Sequence, residues 1–206
     1  NTGPVTNDVS ATTNEDTDVN ITLDGSDING DDITYSITSN PSNGSLGSLS
    51  GSLLTYTPSQ DFNGTDTFTY NANDGSLNGN ASTVTITVNA VNDAPYQVEA
   101  VSISTNEDTA LTVSINHGDV DGDTAIASIV TQPSNGSMSD RIGNTDFTYT
   151  PNANWNGTDT FTYKSTDPSG AESAITTGTI TVTAVNDAPV TVNASEYDAP
   201  ADVWQH

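Results

Sequence analysis

The chain has 206 residues, of which 27 are Asp or Glu and only 2 are Lys or Arg, a formal charge of −25 at pH 7. That balance excludes nucleic acid and anionic membrane surfaces as partners, because Arg141 and Lys164 cannot build a basic patch. It also predicts a compact state that repels itself unless cations are bound. Cysteine is absent and histidine is confined to His117 and His206, which leaves zinc and copper without a ligand set. No apolar run reaches the ~18 residues a membrane-spanning helix needs. No secretory leader is expected, and the first residues read as a linker, so the chain is expected to be an internal piece of a longer protein.

Taken in chain order, the elements read as β-strands. Val19, Ile21 and Leu23 alternate with polar residues, as do Ile33, Tyr35 and Ile37. Phe68, Tyr70 and Ala72 follow, then Val84, Ile86, Val88 and Ala90. The pattern returns at Leu111, Val113 and Ile115, at Phe161 and Tyr163, and at Ile180, Val182 and Ala184. A period of two marks strands with one buried face. Gly, Asn, Asp and Pro clusters separate them, and no segment has helical periodicity. About seven strands in ~90 residues predict an Ig-like Greek-key sandwich.

The elements repeat because the sequence repeats. Thr13-Asn-Glu-Asp-Thr17 returns at 105–109, Pro41-Ser-Asn-Gly-Ser45 at 133–137, and Tyr56-Thr-Pro58 at 149–151. Asn63-Gly-Thr-Asp-Thr-Phe-Thr-Tyr70 returns unchanged at 156–163, and Val91-Asn-Asp-Ala-Pro95 at 185–189. The offset drifts from 92 (Asn14 to Asn106) through 93 (Asn63 to Asn156) to 94 (Asn92 to Asn186), as single insertions in loops would produce. The reading is therefore two tandem all-β domains, 1–94 and 95–188. Residues 189–206 are expected to begin a further repeat or form a poorly ordered end. Trp155 takes the place of Phe62, which marks it as a core wedge.

The chemistry lies in the carboxylates. Asp27-Ile-Asn29-Gly-Asp31 is matched by Asp119-Val-Asp121-Gly-Asp123. Hard oxygens at alternate positions of a glycine-containing loop suit Ca2+, which takes 6–8 oxygens at about 2.3–2.6 Å. The loop is not an EF-hand, since its glycine comes too early and position twelve is Thr38 or Val130. Recurrence in both repeats strengthens the case, as do two further clusters: Glu15-Asp16 with Glu107-Asp108, and Asn92-Asp93 with Asn186-Asp187. Asp66 and Asp159 begin strands and are expected to accept local backbone hydrogen bonds.

The Val-Asn-Asp-Ala-Pro segment resembles the Asp-x-Asn-Asp-Asn-Ala-Pro linker of cadherins. The whole unit resembles the bacterial cadherin-like tandem repeats of large secreted adhesins, over residues 1–189. That resemblance implies calcium between successive domains. Its ligands would be Glu15 from the far end of the first unit, Asn92 and Asp93 from the linker, and Asp119, Asp121, Asp123 and Asp167 from the near end of the second. The matching near-end set of the first unit would be Asp27, Asn29, Asp31 and Asp74, and Glu107, Asn186 and Asp187 would serve a junction to a third. The chain departs from cadherins where they carry Asp-x-Glu: here Asp61-Phe62-Asn63 and Asn154-Trp155-Asn156 lack the Glu. The linker also has one Asp fewer, so fewer ions or weaker binding is expected.

These features predict a calcium-stiffened, non-catalytic extender of a bacterial adhesin, secreted or at the cell surface, monomeric, with neighbouring repeats as partners. The alternative is a calcium-dependent carbohydrate-binding module, which would use exposed aromatics such as Trp155, Tyr96 or Trp204 on polysaccharide or another cell surface. Acidic pairs cluster in turns rather than a groove, and His117 replaces Gly25 of the first repeat, so a loop role rather than catalysis is expected. Lys164 stands where the first repeat has Asn71, so an internal isopeptide crosslink would be a one-domain feature at most, and an exposed Lys or a local ion pair is expected instead.

Overall fold

A computed structural model describes residues 1–188, so the expectations for 189–206, Trp204 and His206 lie outside the described residues. The chain divides into two compact units, Asn1–Asp93 and Ala94–His206. Among the described residues every regular element is a strand.

Unit 1 contains β1 (Val5–Thr6), β2 (Val9–Asn14), β3 (Val19–Thr22), β4 (Gly25–Ser26), β5 (Thr34–Ser39), β6 (Gly44–Leu46), β7 (Leu53–Pro58), β8 (Gly64–Asn73) and β9 (Ser82–Asn89). One sheet runs β2-β9-β8-β5, with β2 parallel to β9 and the rest antiparallel. The facing sheet runs β3-β7-β6, and β1 pairs with β4. Unit 2 repeats this plan with β10 (Tyr96–Gln97), β11 (Ser102–Asn106), β12 (Leu111–Ser114), β13 (His117–Gly118), β14 (Ile126–Thr131), β15 (Gly136–Met138), β16 (Asp146–Pro151), β17 (Gly157–Thr166) and β18 (Thr176–Thr183). Its sheets run β11-β18-β17-β14 and β12-β16-β15. Each unit is a Greek-key sandwich of the Ig and cadherin type. The two short strands beyond the expected seven, β1 and β4 or β10 and β13, lie in segments too short for periodicity to reveal.

The alternating residues supply the core. Ile21, Leu23, Leu54, Tyr56, Phe68, Tyr70, Val84, Ile86 and Val88 form one cluster. Val113, Ile115, Phe147, Tyr149, Phe161, Tyr163, Ile180 and Val182 dominate the other. Ile33, Tyr35 and Ile37 are only half-buried, because β5 is an edge strand. Ala90 and Ala184 are exposed, since β9 and β18 end before them. Trp155 packs against the second cluster, as Phe62 does against the first.

Each core is pinned by a buried carboxylate that sequence alone understated. Asp66, 4% exposed, accepts the backbone N–H groups of Ser42 at 3.0 Å and Asn43 at 2.8 Å, and the Tyr56 hydroxyl at 2.9 Å. Of its bonds, only that from the Thr67 N–H is local. Asp159 holds Ser134, Asn135, Tyr149 and Thr160 in the same way. One carboxylate thus ties the β5–β6 or β14–β15 loop to the opposite sheet. The glycine after each Asn takes part: a Cβ at Gly44 or Gly136 would meet the Tyr56 or Tyr149 ring at 2.4 Å. Burial pushes the Asp66 carboxyl up, but the Asn43, Ser42 and Thr67 N–H groups and the Tyr56 hydroxyl more than offset it, leaving the group below its ordinary value. Burial, reinforced by the hydrogen bond to Asp66, pushes the Tyr56 hydroxyl well up.

A depressed native value means that Asp66 stabilises unit 1 fully above about pH 4, and that this contribution is lost as pH falls through the native value. Asp66→Asn should cost about 2 kcal/mol or more at neutral pH, because N–H donors would face an amide, whereas Tyr56→Phe should cost about 1 kcal/mol. Urea unfolding followed on both variants checks the ratio. Acid titration of Asp66→Asn should show a shallower loss of stability below about pH 4 than the parent.

Candidate metal sites at the ends of each unit

The first end of unit 1 is built around the loop after β4. Asp27 Oδ1 accepts the backbone N–H of Asn29 at 2.7 Å and of Asp31 at 3.4 Å, and Gly30, at φ +82°, closes the turn with its N–H on the Asp27 carbonyl at 3.2 Å. The other carboxylate oxygen, Asp27 Oδ2, is buried and has no hydrogen-bond partner. Asp74 follows directly on β8. Its Oδ1 accepts the Ser76 and Leu77 N–H groups, each at 2.7 Å, and its Oδ2 accepts the Asn1 amide at 2.9 Å. The Leu77 and Ser76 bonds are the main reason its carboxyl sits below the ordinary value. Thr2 donates its N–H to Asn29 Oδ1 at 2.9 Å. Asn1 and Thr2 are consecutive, so Asp74 and Asn29 gather at one end with Asp27, while the Asp31 side chain is exposed on the same loop.

Unit 2 repeats the arrangement. Asp119 Oδ1 accepts the N–H groups of Asp121 at 2.9 Å and Asp123 at 3.3 Å, and Asp119 Oδ2 is again buried without a partner. Asp167, 6% exposed, follows β17, and its Oδ1 accepts the Ala171 N–H at 2.8 Å. His117 ties the two segments together, with Nδ1 3.1 Å from Ser165 Oγ. It lies in β13, paired with Gln97, so it is a strand residue rather than a loop residue. Ser165 also accepts from Gln97 Nε2 and is fully buried, which gives this pair a packing role.

The opposite end of unit 1 is organised by Glu15, 4% exposed, whose Oε1 accepts the Val91 N–H at 2.5 Å. Asn63 donates to its Oε2 at 3.4 Å. Asp16 follows at φ +56°, and its Oδ1 accepts the N–H of Asp61, itself at φ +55°. The carboxylates of Asp16, Asp61 and Asp93 come within 4.8 Å of one another, and that of Glu15 within the same distance of Asp93. Asn92 and Asp93 share a bond from the Asn92 amide to the Asp93 carbonyl. In unit 2, Glu107, 7% exposed, accepts the Val185 N–H at 2.6 Å, Asp108 accepts the N–H of Asn154, and the Asn186 amide reaches the Asp187 carbonyl. Asn154 stands where unit 1 has Asp61, so that end is one carboxylate poorer.

Asp61 was absent from the sequence-derived ligands. Its Asp-Phe-Asn context lacks the Glu of the cadherin motif, and only the left-handed backbone at 16 and 61 brings Asp16 to its N–H. The donor set at both ends consists of hard oxygens, without sulfur or an accessible imidazole. A buried carboxylate oxygen left without a donor costs on the order of 1–3 kcal/mol or more. Its recurrence at Asp27 and Asp119 is what a loop shaped around a cation shows when only protein atoms are counted. These residues fit calcium.

The comparisons with known proteins agree with the architecture. Residues 1–88 match the bacterial Ig domain family, and residues 92–184 match the bacterial cadherin-like domain family. No curated protein sequence matches the chain. Among solved structures, the first two extracellular domains of human mucin-like protocadherin align over 88% of this chain and 98% of that one, at 17% identity and a TM-score of 0.53. Extracellular domains 3–6 of protocadherin gamma B2 align over 89% of this chain and 48% of that one, at 15% identity and a TM-score of 0.54. An endo-fucoidan hydrolase of glycoside hydrolase family 107 aligns at 22% identity and a TM-score of 0.40, and the chain spans 29% of its length. With one family matched along each unit and the cadherin fold common to both, the chain belongs to the bacterial Ig and cadherin-like tandem repeats.

Proposed function

We propose that this chain is a calcium-stiffened, non-catalytic spacer from a bacterial surface or secreted adhesin. The observation that carries the reading is the pair of buried, unpartnered oxygens of Asp27 and Asp119, repeated at the same place in both units. A calcium ion there would complete the coordination of each carboxylate and discharge part of the −25 charge. Asn29, Asp74 and Asn1 would share the ion in unit 1, and Asp121 and Asp167 in unit 2. Glu15, Asp16, Asp61 and Asp93 would serve the other end of unit 1, with Asn92 from the linker. Glu107, Asn186 and Asp187 would do so for unit 2. Asp31 and Asp123 would contribute charge from the loop rim.

In this reading calcium bound at the ends of each unit stiffens the repeats, and chelation loosens them. The repeats then hold some other adhesive domain away from the cell. A carbohydrate-binding role has less support: Trp155 packs on the core, and the exposed ring of Tyr96 lies over Gly118, where a Cβ would meet it at 2.6 Å.

Calcium should raise the unfolding temperature by about 10 °C over the chelated protein, the effect of roughly 2 kcal/mol on units of this size, and magnesium should do far less. Differential scanning calorimetry of the chain in chelator, calcium and magnesium checks this, and equal traces in all three would reject calcium as a ligand. Asp27→Asn keeps the Oδ1 acceptor of the turn and replaces the unpartnered oxygen with an amide. In chelator it should match or exceed the parent in stability, and in calcium it should lose a large part of the calcium-dependent gain. Lower stability in both conditions to the same extent would make Asp27 a structural residue only.

A further inference from the structure

Six Asn-Gly pairs occur in the chain: Asn29-Gly30, Asn43-Gly44, Asn63-Gly64, Asn78-Gly79, Asn135-Gly136 and Asn156-Gly157. Asparagine followed by glycine is the thermally fragile dipeptide of proteins, because the side-chain-free glycine lets its own backbone nitrogen approach the preceding amide. Sequence alone ranks the six equally. The structure does not.

In four pairs the glycine is already the first residue of a strand: Gly44 in β6, Gly64 in β8, Gly136 in β15 and Gly157 in β17. Gly44 and Gly136 lie under tyrosine rings, with 2.4 Å to a Cβ position, and the same position at Gly157 is 3.1 Å from the Trp155 ring. A Cβ at Gly64 would meet the Phe62 ring at 3.6 Å. A Cβ at Gly79 would meet the Pro4 carbonyl oxygen at 2.1 Å, and the Gly79 nitrogen donates to the Ala72 carbonyl at 2.8 Å. Gly30 alone of the six both belongs to no strand and has nothing within 4 Å of where a Cβ would stand. Its nitrogen makes one bond, to the Asp27 carbonyl at 3.2 Å, in a solvent-exposed turn that opens at little cost. Asn29 is exposed, and its Oδ1 already accepts the Thr2 N–H at 2.9 Å, a contact that draws electrons from the amide carbon under attack.

We propose that Asn29 is a self-modification site. The Gly30 backbone nitrogen loses its proton and bonds to the Asn29 side-chain carbon. The bond from that carbon to the amide nitrogen breaks, and ammonia leaves. Water then opens the five-membered imide at one carbonyl or the other, giving aspartate or isoaspartate. The aspartate product converts Asp-Ile-Asn-Gly into the pattern unit 2 carries as Asp119-Val120-Asp121-Gly122. That loop has the same turn, with Gly122 at φ +80°, so the fold accepts a carboxylate at this place. Unit 1 thereby gains an acid at an end where the calcium reading puts a ligand. This consequence rests on that reading, whereas the imide chemistry does not.

The test is to incubate the full chain for days in mildly alkaline buffer with chelator, then digest it with chymotrypsin. Cleavage after Leu23 and Tyr35 releases 24–35, in which Asn29 is the only asparagine, and cleavage after Phe62 and Phe68 releases 63–68, in which Asn63 is the only one. The 24–35 fragment should gain one mass unit several-fold faster than 63–68, and in Asn29→Gln the gain should vanish from 24–35. Equal or slower accumulation in 24–35, or its persistence in Asn29→Gln, overturns the proposal. Because the readout is mass in the absence of calcium, the result stands apart from whether calcium binds.

Discussion

Uncompensated negative charge is the constraint on which the rest of this structure depends. With 27 acidic and 2 basic side chains, ion pairing inside the protein cannot neutralise the chain, and Lys164–Glu172 is the only salt bridge among the described residues. The fold answers by segregation. Among the described residues, the acids found within strands are Asp66, Asp146 and Asp159, and Asp66 and Asp159 point inward to N–H and hydroxyl donors. The outward faces of β8, β9, β17 and β18 carry mainly Thr, which favours extended backbone and adds no charge. Carboxylates are thereby concentrated in loops at the two ends of each sandwich, where a divalent cation is the cheapest compensation.

Two kinds of carboxylate emerge from that segregation. Asp66 and Asp159 are buried with their acceptor capacity filled by backbone and tyrosine donors, so they need no ion and act as internal clamps. Asp27 and Asp119 use one oxygen on the turn and leave the other buried without a donor. The same side chain is thus a structural brace in one setting and a candidate ligand in the other, and the difference lies in whether protein donors saturate it.

The strand pattern was legible because a sandwich with one buried face per sheet writes its geometry as alternation, and the internal repeat allowed each unit to check the other. Val84, Ile86 and Val88 are buried as the alternation implies. The two-residue strands β1 and β4 were not readable, since a pair of residues has no period. The Asp27 and Asp119 loops stood out through spacing and recurrence. Asp61 did not, because its proximity to Asp16 depends on two left-handed residues, and single residues at positive φ leave no periodic trace. Asp66 was read as a local cap because strand-start aspartates often are, whereas its main partners, Ser42 and Asn43, lie more than twenty residues away in sequence. The uncrowded, strand-free turn at Gly30 that sets Asn29 apart from five identical dipeptides is likewise a property of the fold, not of the sequence.

The central claim is that the loop carboxylates hold calcium. Isothermal titration of the chelated chain with calcium, beside the Asp119→Asn variant, measures it most directly. The account predicts saturable binding with more than one ion per chain, and a lower stoichiometry or a weakened class of sites in the variant. Absence of saturable binding, or an unchanged isotherm in Asp119→Asn, would contradict it.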